Sequence, residues 1–201
     1  MSEIVVDNPP VVRIPPHLVY EVMDGKPIPY RGFQEVLNQA KTLEDIMGSS
    51  GLQAYIVSDV LLRFLFKHLP ESEYAIVSNE AGLHLGKKTN LSTDIGIYSA
   101  TVLSPEKITD KYLTIPPLVA IEVDTKADMS QFENPQDYFY QKTKKLLDFG
   151  TEKVIWITTV SKKVTVATAH QDWTTHDWDK PIAFLPGVAC PLADLLSKRG
   201  I

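Results

Sequence analysis

The run LVAIEV at residues 118 to 123 is apolar apart from one carboxylate, and it constrains the fold more than any other stretch. Such a run reads as a buried strand, and Pro116-Pro117 in front of it sets where pairing can begin. A helix over about 137 to 149 follows, then a very apolar segment at 154 to 160, VIWITTV. Gly150 between them suits a helix C-cap, so the three pieces predict a β-α-β unit.

Side chains alternate across a strand, so Glu122 and Asp124 are expected beside Leu118 and Ala120, with Val119, Ile121 and Val123 facing the other way. Two carboxylates are thereby expected side by side at the strand's C-terminal end. A carboxylate in such a place is costly unless a cation or hydrogen-bond donors accompany it. The following helix offers one. At about 100° per residue, Tyr138, Phe139, Leu146 and Phe149 cluster within roughly 60° of Lys142, which puts that lysine mid-stripe on the face that packs against a sheet. Taken alone, a lysine there is most often one whose stem packs while its amine escapes to water. Lys144 falls opposite the stripe and Lys145 at its edge, as solvated lysines do.

With 201 residues, 44% hydrophobic and 22% charged, the chain can bury one sizeable core, which predicts an α/β domain of mixed α+β type. The expected division is an extended arm over residues 1 to 16, rich in proline, and a single domain over 17 to 201. No run approaches about 18 apolar residues and the start carries no secretory pattern, so no membrane association is expected and the default location is the cytoplasm. Cys190 is the only cysteine, which excludes an intrachain disulfide and a multi-cysteine zinc site. The net charge is −5, yet residues 136 to 163 carry +3, which predicts a local basic face with Lys144, Lys145 and Lys153 on it.

In chain order, residues 17 to 23 read as a short strand turning at Asp24-Gly25, with KPIPYR as a weak edge partner. A helix is predicted over 33 to 47 and a second, strongly apolar one over 52 to 69, ending at Pro70. Residues 74 to 77 and 82 to 85 read as a hairpin, and 91 to 98 as a further strand. Asp94 lies in that strand on the face of Ser92, Gly96 and Tyr98, where small residues would leave room for an ion. Asp94 and Glu122 then sit on consecutive strands, a common arrangement for neighbours. The remainder supplies an alternating strand, KKVTVATA, a segment with Trp173 and Trp178, and a short helix near 193 to 198.

Other patterns fail on spacing. GLHLGKKT separates its glycines by three residues where a P-loop needs four, and a strand follows instead of a helix. His170 and His176 match no metal-ligand spacing. No nucleophile elbow or reactive-cysteine signature is present.

An aspartate in one strand, then an apolar strand ending in a glutamate with a polar residue two positions on, then a helix bearing lysine, resembles the PD-(D/E)XK nuclease superfamily. Within it the sequence is most similar to restriction endonuclease-like domains of the Uma-two type. The pieces are YEVMDG, LSTDIGIY, PPLVAIEVDTKAD, KTKKLLDFGTEKVIWI and LPGVACPLADLL, together covering about residues 18 to 198. Residues 32 to 47 look like an insertion.

The resemblance implies a restriction-endonuclease-like mixed β-sheet flanked by helices. It further implies that Asp94 and Glu122 bind Mg²⁺ or Mn²⁺ with help from the backbone carbonyl of Val123, since oxygen ligands suit a hard cation. Lys142 would stand in for the lysine that other branches place two residues after the glutamate, orienting water or neutralising charge during hydrolysis of a DNA phosphodiester. Asp124 occupies that vacated place, as a third metal ligand, a partner of Lys126 or a mark of lost catalysis. Thr93 replaces the motif's proline. Two readings stay beside the nuclease: a nuclease-like domain that binds nucleic acid without cutting, and a protein-interaction module. A symmetric homodimer would suit cutting of two strands.

Overall fold

The computed structural model describes residues 13 to 201. Most of the proline-rich arm expected at the N-terminus therefore lies outside the described residues. From there the chain forms β1 (Val19–Met23) and β2 (Lys26–Pro29), antiparallel about the Asp24-Gly25 turn as the sequence predicts.

The helix expected over residues 33 to 47 is instead two short pieces, α1 (Phe33–Leu37) and α2 (Glu44–Met47). Gln39 takes a left-handed φ of 59°, and Thr42 and Asp45 bond each other locally, so the backbone turns where periodicity alone would continue it. The second helical run is continuous: α3 (Gly51–Tyr55), a π-helical segment (Ile56–Leu61) and α4 (Leu62–His68), stopped just ahead of Pro70. Ser50 caps it by accepting the Gln53 N–H at 3.1 Å.

Residues 74 to 86 also differ from expectation. They form one long strand, β3 (Tyr74–Gly86), paired along its whole length with β4 (Thr89–Ser99). Asn79 and Glu80, with φ of 72° and 53°, are a bulge in it. Their polar character mimics a hairpin turn, but one further residue pair kinks a strand as readily as it reverses one. Then come β5 (Val119–Val123), α5 (Pro135–Phe149), β6 (Lys153–Thr158), β7 (Lys163–Thr168) and β8 (Thr174–Asp177). A separate hairpin, β9 (Pro181–Leu185) and β10 (Val188–Pro191), leads into α6 (Leu192–Ser197).

The main sheet has eight strands in the order β2-β1-β4-β5-β6-β7-β8, with β3 on β4. β5 and β6 are parallel and joined by α5, which is the predicted β-α-β unit. Asn134 caps α5 by accepting the Gln136 N–H, Pro135 occupies its first turn, and Gly150 closes it with a φ of 115°. Alternation along β5 sorts two cores. Val119, Ile121 and Val123 join Ile155, Ile157 and the α3–α4 residues Ile56, Leu61 and Leu65 on one face. Ala120 joins Val154, Trp156 and the α5 residues Tyr138 and Leu146 on the other.

One topological detail places the site. Because β3 covers one edge of β4 throughout, β5 (pairing at residues 95 to 97) and β1 (pairing at Asn90) share the other edge end to end. The C-terminal end of β5 therefore meets β1 beside the middle of β4.

Candidate active site

The β4–β5 ladder pairs Ile95 with Ile121 and Gly96 with Ala120, so the next pair along it is Asp94 with Glu122. Directly opposed residues project from one sheet face with Cβ atoms about 4.5–5.5 Å apart. The Val123 N–H donates to Asp94 Oδ2 at 2.7 Å, fixing that carboxylate across the strands. The two acids therefore stand opposite each other across the β4–β5 ladder.

Lys142 reaches them from α5. Its side chain is fully buried, with Nζ 3.0 Å from Glu122 Oε2 and 2.9 Å from Glu21 Oε1. The stripe position of Lys142 is thus as predicted, but its amine does not escape to water. It lies 5.4 Å from the Trp156 ring centre, a cation–π contact in a desolvated setting. Burial alone would lower the lysine's pKa, but Glu122 and Glu21 outweigh it and hold the ammonium charged, well above the usual lysine range.

Glu21 is the residue that sequence reasoning missed. It sits in β1, 3% exposed, and its carboxylate is fully engaged. Oε1 accepts from Lys142 and from the Ser92 N–H and hydroxyl, at 2.9 and 3.1 Å, while Oε2 accepts the Tyr138 hydroxyl at 2.9 Å. The available signal was an acid inside the apolar alternation VYEVM, the same anomaly that singled out Glu122.

Glu122 is less satisfied. It is 2% exposed, and its Oε1 is buried with no hydrogen-bond partner among the described residues. Burial pushes its pKa up to about 8, with Lys142 drawing it back and the charge of Asp94 adding to the rise. Burial likewise raises Asp94 to about 6, against the opposing pull of the Val123 N–H and Lys142. The open oxygen of Glu122 would gain from a cation.

The surroundings contain partners that the sequence did not predict. Asp124 does not stand beside Glu122: it lies just past β5 with a left-handed φ of 57°, and its carboxylate accepts the Thr159 N–H at 2.8 Å and the Thr159 hydroxyl at 2.6 Å. Strand alternation stops applying once the backbone leaves the extended region. Its neighbour Lys126 pairs with Glu80, not with Asp124. The Val123 carbonyl, expected as a metal ligand, accepts the amide of the buried Gln53 at 2.7 Å. The space expected at Gly96 is filled by the Tyr98 ring, whose nearest atom lies 2.8 Å from where a Cβ would be.

Two carboxylates with an orphaned oxygen fit a hard divalent cation. Among the described residues no three His, Cys, Asp or Glu side chains converge as a metal cluster, so water would complete the ligand set.

An open groove of about 770 Å³ lies at the C-terminal ends of β5 and β6, lined by Gln53, Asp124, Thr125 and Thr158 but not by Asp94, Glu122 or Lys142. Its cations Arg31, Lys41 and Lys126 are matched by Glu35, Asp45 and Asp124. The lysines of the basic face expected nearby each have a partner. Lys144 pairs with Asp148, Lys145 with Asp24, and Lys153 donates to the Ala183 and Phe184 carbonyls. No helix among the described residues is long and apolar enough to cross a membrane.

The large mixed sheet flanked by helices places the chain in the fold class the sequence predicts, and a solved structure shares it. That structure, from Anabaena variabilis ATCC 29413, is described as "a putative nuclease belonging to DUF820". It matches with a TM-score of 0.65 and 16% identity over 88% of this chain and 89% of that one. No family model matches the chain, and no curated protein does. At this identity the likeness carries the fold alone.

Proposed function

We propose that this protein is a metal-dependent endonuclease that hydrolyses DNA phosphodiester bonds, with Asp94 and Glu122 as ligands of Mg²⁺ or Mn²⁺. The observation that carries the reading is the buried, unpartnered Oε1 of Glu122 opposite Asp94, in a fold shared with a protein described as a nuclease. A bound divalent cation would supply polarisation of the phosphate and a lowered pKa for its water.

The chain's own residues supply the rest. Asp94 is oriented by the Val123 N–H, and Glu122 by the ammonium of Lys142. Lys142 is buried, so its contribution is to draw Glu122 back towards ionisation and to aim it, a positioning role in place of direct contact with water. Glu21, the Ser92 N–H and the Tyr138 hydroxyl fix the lysine in turn. Asp124 is assigned to the turn after β5 through its bonds to Thr159.

One observation favours a non-cutting, nucleic-acid-binding alternative: Lys142 already neutralises part of the acidic cluster, as a protein without metal would require. Calorimetric titration with Mg²⁺ and Mn²⁺, paired with cleavage of plasmid and oligonucleotide substrates, separates the two. The nuclease reading expects metal binding and cleavage, both lost in Glu122→Gln. Metal-independent nucleic-acid binding without cleavage would favour the alternative.

A further inference from the structure

Beyond the groove, between α5 and the face of β6, β7 and β8, lies a cleft of about 390 Å³ walled by Phe139, Tyr140, Trp156 and Trp173, with Thr158 and Thr165 at its floor. Tyr140 is 57% exposed and pairs with Trp173, ring centres 5.2 Å apart at 36°. Phe139 stands edge-on to Trp156 at 4.7 Å, and the Trp156 N–H is held by Thr143 at 2.8 Å, so the wall behind is rigid. Thr165 and Thr175 share a hydroxyl bond of 2.8 Å and keep further hydrogen-bonding capacity towards the opening.

Phe139 and Thr158 line both this cleft and the groove at the ends of β5 and β6, so the two adjoin. The groove's charges balance, and Lys144, Lys145 and Lys153 are each spent on partners of their own. A surface of that kind offers little net charge for neutralising the phosphates of a duplex. Aromatic rings offer the other means of holding nucleic acid, stacking against bases, and it requires those bases to be unpaired.

We propose that the Tyr140–Trp173 cleft binds an unpaired base of a DNA strand whose backbone follows the adjoining groove past Thr125 and Thr158, so that the preferred substrate is single-stranded. The volume, at the low end for small-ligand pockets, suits one base. This rests on the nuclease reading for the identity of the strand.

The test measures fluorescence anisotropy of a labelled single-stranded DNA and of a blunt duplex of the same length, with chelator present. It uses the full chain, Trp173→Ala, Trp173→Phe and Glu122→Gln, all checked for thermal stability. The parent is expected to bind the single strand more tightly than the duplex, with a shallow salt dependence. Trp173→Ala should lose roughly tenfold or more in single-strand affinity, the scale of one stacked base, and Trp173→Phe should keep most of it. Equal or tighter duplex binding overturns the proposal, as does an unchanged affinity in a folded Trp173→Ala variant or no binding of the single strand at all. Glu122→Gln separates the two readings. Trp173-dependent binding with no metal-dependent cleavage by the parent would sink the nuclease reading and leave the cleft standing. Cleavage that needs Glu122 and ignores Trp173 would do the reverse.

Discussion

The ammonium of Lys142 stands 2.9 Å from Glu21 and 3.0 Å from Glu122, so one buried cation ties β1 to the end of β5 where these strands meet along a shared edge of β4. Breaking a buried ion pair from one side leaves an uncompensated charge, which costs about 3–5 kcal/mol. Lys142→Met is therefore expected to be destabilised on that scale in denaturant melts, and less so as pH falls and the stranded carboxylates take up protons. Adding Glu21→Gln should recover part of the loss, with a coupling of about 0.5–3 kcal/mol in a double-mutant cycle. A neutral or stabilised methionine variant would mean that the lysine is an ordinary packed stem.

Metal binding should depend on both opposed acids and on pH. With Glu122 raised to about 8 and Asp94 to about 6 by burial, a divalent cation must displace protons to bind. Affinity for Mn²⁺ measured by calorimetry should rise as pH increases across that window, with proton release visible in buffers of different ionisation enthalpy. Asp94→Asn and Glu122→Gln should each abolish it.

The same shift predicts an unusual stability profile. In the metal-free protein Glu122 keeps a proton up to about pH 8 that the unfolded chain gives up near its ordinary value of 4.5. Between those values the unfolded state binds fewer protons, so folding stability falls as pH rises through the window. Thermal melts of the parent should show this decline, and Glu122→Gln, which cannot ionise, should flatten it. A parent and variant with parallel profiles would contradict the assignment.

Asp124 should behave as part of the turn. Asparagine tolerates a left-handed φ, so Asp124→Asn keeps the backbone and loses only the charge-assisted bonds from Thr159, at about 1–2 kcal/mol. Metal affinity should be unchanged. A variant that loses metal binding while staying folded would restore Asp124 to the site.

Replacing Gln53 tests the other expected ligand. Gln53→Leu removes the donor held by the Val123 carbonyl, and leaving that buried group unpaired should cost about 1–3 kcal/mol. If the carbonyl does not touch the cation, the metal affinity of this variant stays at the parent's value.

Local rules sufficed for the β-α-β unit. The apolar runs of β5 and β6 and the glycine closing α5 act within one or two turns of the chain, and strand alternation placed Glu122, and helical spacing Lys142, on the faces they occupy. Asp94 could be found because the next strand in sequence was also its neighbour in space. The role of Glu21 was out of reach, since it lies 121 residues from Lys142 and meets it only because β1 and β5 share one edge of β4. Asp124 was misplaced because periodicity assumes an extended backbone, and its bond to Thr159 across β6 turns the chain aside. Whether Lys142 reaches water was likewise a tertiary matter. Helical spacing gives the face of a side chain, but only the packing of Tyr138, Trp156 and β1 around it gives the depth.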